Sequence, residues 1–227
     1  ALIPVVGDCK KILQDLTYGI KEIDTKMWID EIKIWKKEYL KNRETFTKVN
    51  PQYALELFSN LIEEDAIVTS DVGQNQIWTS HYLDMLGDRR FLTSGGLGTM
   101  GYSIPASVGC KLAFPDRRVV AVMGDGSFQM SMSELGTIAQ NHLNIIFLLF
   151  NNSNLGMVRE YQSNVYKNTY GVSLCENPDF VKLVEAYGLR GKRVNSNLEL
   201  KGVLEEAMTC NKSFLIECIV SAEESTL

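Results

Sequence analysis

The sequence VVAVMGDGSFQMSMSELGTIAQNHLNIIFLLFNN, which covers residues 119–152, contains two apolar runs that each end in a short polar motif. The run at 119–123 is followed by Gly-Asp-Gly, and the run at 145–150 is followed by Asn-Asn. Both runs have the length and apolar character of buried strands, and the segment 128–142 between them has the character of a crossover helix. This stretch therefore predicts a βαβ unit within a parallel sheet.

The two polar motifs place a carboxylate, Asp125, and an amide, Asn152, at the carboxyl ends of neighbouring predicted strands. Ligands of open parallel sheets bind at that edge, and hard oxygen donors suit Mg²⁺, which usually accompanies a phosphate group. Taken singly, each motif has an ordinary explanation, since Gly-Asp-Gly is a common strand-to-helix turn and Asn-Asn a common loop. Together they favour a site for Mg²⁺ and a diphosphate.

Strands alternate with helices through the remainder of the chain from residue 50. The predicted strands are 66–70, 90–93, 118–123, 144–150, 191–194 and 214–220, and the predicted helices are 50–62, 75–86, 102–114, 128–142, 178–187 and 198–209. Alternation of this kind is typical of an α/β fold with a doubly wound parallel sheet. We therefore expect one main domain at 50–227.

The first 49 residues have a different pattern. We interpret residues 1–20, with a predicted strand at 2–6 and a predicted helix at 9–16, as a short remnant of an upstream α/β domain, so that the chain is expected to be a piece of a longer protein. Residues 21–49 are highly charged and predict a linker helix that lies against the main domain. The apolar stripe of this helix consists of Trp28, Ile32, Trp35 and Tyr39.

Composition argues against several classes of function. A net charge of -5 over 227 residues is unlike a nucleic-acid-binding domain, which would present a basic face. No apolar run approaches the ~20 residues needed to cross a bilayer, and no signal peptide is recognisable, so we expect a cytoplasmic protein without a membrane partner. The five scattered cysteines contain no Cys-x-x-Cys pair, which argues against zinc and against a disulfide scaffold.

A competing interpretation comes from residues 96–101, GLGTMG, which match the dinucleotide fingerprint G-x-G-x-x-G, with Asp125 roughly the expected ~20 residues further on. The helix that follows could bind a pyrophosphate at its amino end. However, the preceding predicted strand is short and polar, and this interpretation leaves Asn151 and Asn152 unexplained. An NAD-dependent oxidoreductase therefore ranks below the metal-diphosphate site. A P-loop motif is absent from the sequence.

The Gly-Asp-Gly and Asn-Asn motifs, in this order, resemble the cofactor-binding motif of thiamine-diphosphate (ThDP) enzymes. From about residue 50 to its end, the chain resembles the diphosphate-binding domain of the acetolactate synthase (acetohydroxyacid synthase) catalytic subunit, and residues 1–20 resemble the end of that family's middle domain. The resemblance implies the ThDP-binding fold. The segments that carry it are DVGQ at 71–74, GGLGTMGY at 95–102, GDGSFQM at 124–130, and NN at 151–152 with LGMV at 155–158.

The resemblance implies roles for single residues. Asp125, the side chain of Asn152 and the carbonyl of Asn154 would bind Mg²⁺. Met100 would hold the cofactor in a bent form with its pyrimidine against the reactive thiazolium carbon. The Gly98 carbonyl would accept a hydrogen bond from the 4′-amino group, so that Met100 and Gly98 are the implied catalytic residues. The implied cofactor contacts are Val72, Gly73, Gln74, Asn75, Gly98, Met100, Gly124, Gly126, Ser127, Leu155, Gly156 and Met157.

The implied reaction is decarboxylation of pyruvate and its condensation with a second 2-keto acid, a carboligase (transferase) reaction of branched-chain amino acid biosynthesis. The glutamate that activates the pyrimidine in these enzymes belongs to the pyrimidine-binding domain of a partner subunit, and no residue here matches it. We therefore expect this chain alone to be inactive. The complete protein is expected to be a homodimer or tetramer that can also bind FAD.

Two positions depart from the synthase pattern. Asn75 stands where the synthases usually carry histidine. Tyr161 stands where they usually carry the tryptophan that lines the entrance and favours 2-ketobutyrate as second substrate. Two alternatives therefore stay open, namely another ThDP-dependent decarboxylase or carboligase and a ThDP-binding homologue without catalysis.

Overall fold

The computed structural model describes residues 2–40 and 48–226. It divides the chain into two compact units, residues 1–45 and residues 46–227. None of the helices in the described ranges is long and apolar enough to cross a bilayer. The second unit contains the sheet and the predicted site.

The first unit contains two described helices, α1 (Cys9–Gly19) and α2 (Lys26–Leu40). The Asp8 side chain caps α1 by accepting a hydrogen bond from the main-chain N–H of Lys11 at 3.1 Å. The strand predicted at 2–6 is wrong. A strand needs a hydrogen-bonded neighbour, and these residues pair with none of the described segments.

Helix α2 lies within the segment predicted as a linker helix. Its residues Trp28, Ile32 and Trp35 share one side because they are spaced three or four residues apart. The side chain of Tyr39, the fourth residue of the predicted stripe, lies outside the described residues. The packing of this helix against the main domain stays a prediction.

The second unit is built around six strands, β1 (Ile67–Ser70), β2 (Arg90–Thr93), β3 (Val119–Gly124), β4 (Ile145–Asn151), β5 (Arg190–Val194) and β6 (Phe214–Ile219). Every strand is parallel to its neighbours, in the order β2-β1-β3-β4-β6-β5. The described helices of this unit are α3 (Pro51–Ser59), α4 (Gln74–Tyr82), α5 (Ser103–Ala113), α6 (Asp125–Ser131), α7 (Glu134–Gln140), α8 (Gly156–Tyr166), α9 (Phe180–Ala186) and α10 (Asn197–Thr209).

Helices cover both faces of the sheet. Along β3, the side chains of Val120 and Val122 pack in a cluster with residues of α3, α4 and α10. Those of Val119, Ala121 and Met123 pack in a second cluster with residues of α5, α6, α7 and α9. This alternation is the period of two that a strand imposes, and burial of both faces explains why β3 reads as a continuous apolar run. The predicted doubly wound parallel sheet is confirmed.

Two helical segments differ from the prediction. The helix predicted at 128–142 is divided into α6 and α7 by a turn at Met132 and Ser133, and Phe128 of α6 and Leu135 of α7 both reach the same core cluster. The sequence pattern does not predict α8. None of the residues of α8 is buried, although Met157, Tyr161 and Val165 recur every four residues along it.

The strand order creates a topological switch point between β1 and β3. From β1 the chain passes to the edge strand β2, and from β2 it returns to the other side of β1 to form β3. The segments that leave the carboxyl ends of β1 and β3 therefore diverge and open a crevice, which is where open α/β sheets bind ligands.

Asp71, the first residue after β1, is fully buried and joins β1 to the glycine-rich loop 94–102. Its Oδ1 accepts hydrogen bonds from the main-chain N–H groups of Val72 and Gly101, each at 2.9 Å. Its Oδ2 accepts one from the main-chain N–H of Ser103 at 2.9 Å, where α5 begins. The carboxylate thus satisfies a donor at the start of a helix and fixes the glycine-rich loop at the crevice.

We expect Asp71→Asn to lower the free energy of unfolding by about 2 kcal/mol, because an amide nitrogen in place of one oxygen leaves a buried main-chain N–H without an acceptor. Chemical denaturation of the purified protein measures this change. Asp84→Asn, at an exposed aspartate, is the control and should change the free energy by less than about 0.5 kcal/mol. Equal stability of the Asp71 variant and the wild type would contradict the role given to these hydrogen bonds.

Candidate functional site

A cavity of about 250 Å³ opens at the carboxyl edge of the sheet, where the segments after β1, β3 and β4 meet the glycine-rich loop and the start of α8. All residues predicted for the metal and cofactor site line this cavity, with the exception of Gly126. The structure therefore brings together side chains that are up to about 85 residues apart in the sequence. Their roles in binding stay predictions.

Gly126 packs behind the cavity wall. A Cβ atom at this position would lie 2.9 Å from Leu155 Cδ2 and 3.5 Å from Met100 Cε, and both of these side chains line the cavity. A larger residue at this position would displace Leu155. The glycine thus supports the wall, and a main-chain contact between Gly126 and a cofactor stays a prediction.

Asp125 is the first residue of α6 and is only 1% exposed. Its Oδ2 accepts a hydrogen bond from Asn177 Nδ2 at 2.7 Å. Burial raises the pKa of this carboxyl group to about 6, although the hydrogen bonds from Asn177 and from main-chain N–H groups oppose the shift. No basic side chain in the described ranges forms an ion pair with Asp125. A buried carboxylate without a cationic partner is well suited to bind a metal cation.

The two asparagines after β4 have different surroundings. Asn151 Nδ2 donates a hydrogen bond to Glu217 Oε1 of β6 at 2.7 Å, so this side chain anchors the loop to the sheet. Asn152 lines the cavity. Its Nδ2 donates to Gln74 Oε1 at 3.0 Å, and its Oδ1 accepts from the main-chain N–H of Asn154 at 3.0 Å. Asn152 is therefore the asparagine whose oxygen is available to a ligand in the cavity.

The donor set fits Mg²⁺ bound together with a phosphate group. Asp125 supplies a carboxylate, Asn152 an amide oxygen and Asn154 a main-chain carbonyl at the same cavity. Over the described residues, no group of three or more His, Cys, Asp or Glu side chains could hold a metal ion by itself. Mg²⁺ typically binds one or two protein carboxylates and completes its octahedron with phosphate oxygens and water.

Helices α4 and α8 both begin at the cavity, and their first turns are suited to an anion. Their N-cap residues, Gly73 and Leu155, make no side-chain hydrogen bond, whereas Asn50 caps α3. Helix amino ends attract anions through free N–H groups and the helix dipole. Gly73 has a φ of 153°, and a Cβ there would lie 2.6 Å from Asn75 Oδ1, so the turn before α4 requires glycine.

The two positions that depart from the synthase pattern lie in different places. Asn75 lines the cavity and also joins α4 to β1, because its Nδ2 donates to the main-chain oxygen of Asp71 at 2.8 Å. Tyr161 lies on α8, is 58% exposed and does not line the cavity. Its ring contacts that of Tyr166 edge to face, with the centroids 6.0 Å apart.

Part of the cavity wall is apolar and includes residues that sequence analysis missed. The predicted members are Val72, Met100, Leu155 and Met157, and the unpredicted members are Trp78, Phe150 and Val158. Trp78 follows Gln74 by four residues on α4, and this spacing could have placed it at the site. Gly98, with a φ of 65°, allows the loop that carries Met100 to turn toward the cavity.

Sequence analysis also missed the polar residues behind the predicted metal ligands. Asn177 binds Asp125, and Asn177 Oδ1 accepts a hydrogen bond from Gln129 Nε2 at 2.9 Å. Glu160 of α8 accepts a hydrogen bond from Gln74 Nε2 at 2.8 Å. These partners are distant in the sequence, so no short motif could have revealed them.

Comparison with known proteins agrees with this geometry. The family model described as "Thiamine pyrophosphate enzyme, C-terminal TPP binding domain" matches residues 71–218. Among curated proteins, the chain is 38% identical to the probable acetolactate synthase large subunit of Methanocaldococcus jannaschii over 98% of the chain and 40% of the relative. It is 42% identical to the acetolactate synthase large subunit of Buchnera aphidicola subsp. Schizaphis graminum, over 88% of the chain and 36% of the relative. It is 38% identical to the acetolactate synthase isozyme 3 large subunit of Escherichia coli, over 91% of the chain and 38% of the relative.

The chain spans about two fifths of the length of these curated relatives. The family match covers well over half of the chain and includes every residue predicted for the site. The chain therefore belongs to the thiamine pyrophosphate (thiamine diphosphate) enzymes and contains their C-terminal TPP-binding domain.

Proposed function

We propose that this chain forms the ThDP- and Mg²⁺-binding part of an acetolactate-synthase-like carboligase. The observation that carries the proposal is the buried Asp125 carboxylate, which has no basic partner in the described part of the chain and shares its cavity with Asn152. The names of the relatives support the reaction class, since each of those described above is an acetolactate synthase large subunit.

In this proposal, Asp125, the Asn152 side chain and the Asn154 carbonyl hold Mg²⁺. The N–H groups at the start of α4 and the Ser127 hydroxyl bind the diphosphate. A single protein carboxylate leaves one of the two positive charges of Mg²⁺ to be balanced by diphosphate oxygens, so metal and diphosphate are expected to bind together.

The apolar wall receives the reactive end of the cofactor. Bound ThDP supplies the nucleophilic carbon and the electron sink for decarboxylation of a 2-keto acid. Met100 fills the space that keeps the cofactor bent, and the Gly98 carbonyl accepts a hydrogen bond that holds the 4′-amino group in place. Leu155 and Met157 exclude water from this part of the cavity.

The substrates, the partner subunit and a further cofactor are groups outside this chain. The substrates are pyruvate and a second 2-keto acid. A pyrimidine-binding domain of a partner subunit supplies the activating glutamate, so that the complete protein works as a homodimer or tetramer in the cytoplasm. FAD would bind elsewhere in the complete protein. The identity of the second keto acid stays open, because Tyr161 stands where the synthases usually carry tryptophan.

Calorimetric titration of ThDP into the complete natural protein, with and without Mg²⁺, tests the binding proposal. Product analysis after incubation with pyruvate, alone or with 2-ketobutyrate, tests the reaction. Mg²⁺-dependent binding and acetolactate formation are expected. Binding without turnover would favour a non-catalytic homologue, a different product would favour another ThDP enzyme, and absence of binding would contradict the proposal.

We expect Asp125→Asn to weaken Mg²⁺-dependent ThDP binding by about 100-fold or more, since it replaces the charged ligand of the proposed metal site by a neutral amide, and changes to residues behind a metal ligand alone cost about 10–100-fold. The same calorimetric titration measures this loss. Asp116→Asn, at an exposed aspartate before β3, is the matched control and should bind as the wild type does. Wild-type affinity in the Asp125 variant would remove this residue from the metal site.

The pKa of Asp125 predicts a pH-dependent difference in stability. Its folded-state value of about 6 lies above the ordinary 3.8, so the folded protein binds this proton more tightly than the unfolded chain, and wild type loses stability as pH rises through 6. Without Mg²⁺, Asp125→Asn should therefore gain stability relative to wild type between about pH 4 and pH 8, by about 3 kcal/mol. Denaturation at several pH values measures this, and a difference independent of pH would contradict it.

A further inference from the structure

Glu160 accepts four hydrogen bonds from distant parts of the chain. Its Oε2 accepts from Gln74 Nε2 at 2.8 Å and from Thr226 Oγ1 at 3.0 Å. Its Oε1 accepts from Ser225 Oγ at 2.7 Å and from the main-chain N–H of Thr226 at 3.0 Å. Only an ionised carboxylate can accept all four, because both of its oxygens lack a proton. Burial raises the pKa of Glu160, but these hydrogen bonds outweigh it and leave the pKa below its usual value.

Glu160 fixes the orientation of the Gln74 side-chain amide. Gln74 Nε2 donates to Glu160 Oε2 at 2.8 Å and to the main-chain oxygen of Glu224 at 2.9 Å. Both N–H groups of this amide are therefore in use. If the amide were reversed, its carbonyl oxygen would face two acceptors, and neither contact could form a hydrogen bond. Gln74 Oε1 must then point the other way, toward Asn152.

The oriented Gln74 amide acts on Asn152 in turn, together with the main-chain N–H of Asn154, which donates to Asn152 Oδ1 at 3.0 Å. Gln74 Oε1 accepts a hydrogen bond from Asn152 Nδ2 at 3.0 Å, so the nitrogen side of the asparagine faces Gln74. The oxygen, Oδ1, lies on the opposite side of the same amide. An amide nitrogen has no lone pair to offer Mg²⁺, whereas an amide oxygen is a hard donor that the ion accepts. The orientation of Asn152 therefore decides whether this residue can be a ligand.

Gly156 provides the space in which these two amides meet. A Cβ atom at this position would lie 2.0 Å from Gln74 Oε1 and 2.7 Å from Asn152 Nδ2. Any larger residue would push the Gln74 amide away from Asn152. The contact between the two amides thus depends on a glycine at the start of α8.

We propose that Glu160 is a positioning residue of the metal site: acting through Gln74, it sets the Asn152 side chain with Oδ1, rather than Nδ2, toward the bound Mg²⁺. This inference rests on the proposed function, because it requires Asn152 to be a metal ligand. It extends that function to a residue that lies outside the cavity and makes no contact with metal or cofactor.

The test is a calorimetric titration of Mg²⁺ into the complete natural protein at saturating ThDP. Glu160→Met removes both oxygen acceptors and keeps the length of the side chain. We therefore expect the Mg²⁺ dissociation constant to rise about 10–100-fold, as for other changes to residues that hold a metal ligand in place. Glu160→Gln keeps one oxygen that can face Gln74 and should restore part of the affinity. Glu223→Gln makes an equal charge change in the adjacent C-terminal segment, where Glu223 pairs with Arg159, and should bind as wild type.

A double-mutant cycle separates positioning from a general structural role. If Glu160 acts through Gln74, then Glu160→Met should cause no further loss of Mg²⁺ affinity in a Gln74→Ala background. The double variant Ser225→Ala, Thr226→Val removes the two side-chain hydroxyl groups that donate to Glu160 but keeps the hydrogen bond between Glu160 and Gln74. Its Mg²⁺ affinity should stay within about threefold of wild type. Additive losses, or an equal loss in the Ser225 and Thr226 variant, would overturn the inference.

Gly156→Ala provides an independent variant should Glu160→Met fail to fold. It disrupts the contact between Gln74 and Asn152 by a change at the start of α8, and it should weaken Mg²⁺ binding to at least a similar degree, because Gly156 also lines the cavity. Wild-type affinity in this variant would overturn the inference. Failure of the wild-type protein itself to bind Mg²⁺ and ThDP would instead overturn the proposed function, so the two failures are distinguishable.

Discussion

The buried carboxylate of Asp71 is the constraint on which the cavity depends. It stands at the switch point of the sheet and accepts hydrogen bonds from three main-chain N–H groups, which belong to the segment after β1, the glycine-rich loop and the start of α5. Loops normally satisfy such groups with water, but here they are bonded to a carboxylate that is itself fully buried. The glycine-rich loop has little apolar core of its own, so this carboxylate is what places Gly98 and Met100 opposite the first turn of α4.

The sheet could be predicted because its central strands are buried on both faces and read as unbroken apolar runs. The strand order could not be predicted, because residue types do not determine which strands pair with each other. β6, the last strand in sequence, inserts between β4 and β5. The error at 2–6 has the same origin, since an extended apolar run resembles a strand until a partner is required. Helix α8 was not predicted, although Met157, Tyr161 and Val165 recur along it every four residues.

Two rules agree with the lining of the cavity, namely that ligands bind at the carboxyl ends of parallel strands and that glycine permits close approach of the main chain. Position alone predicted only Asp125 and Asn152, and the other predicted lining residues came from the family resemblance. The same rules made residues 96–101 resemble a dinucleotide fingerprint, because both kinds of site use glycine turns and helix amino ends. The polar partners behind the ligands were not predictable. Asn177 lies 52 residues from Asp125, and Glu160 lies 86 residues from Gln74. A polar residue does not show from the sequence alone which distant residue it will contact.

The charges at the cavity explain why such a site would bind its metal and its cofactor together. One carboxylate and two neutral oxygens cannot balance a divalent cation, and Asp125 alone is costly to keep ionised because it is buried. A diphosphate supplies the missing negative charge, and the cation in turn removes the repulsion between the diphosphate and Asp125. In the proposed site, each ligand would therefore raise the affinity for the other by the same factor. Fixed amide orientations at Asn152 and Gln74 add to this coupling, since they let the oxygen donors face the ion without reorganisation when it arrives.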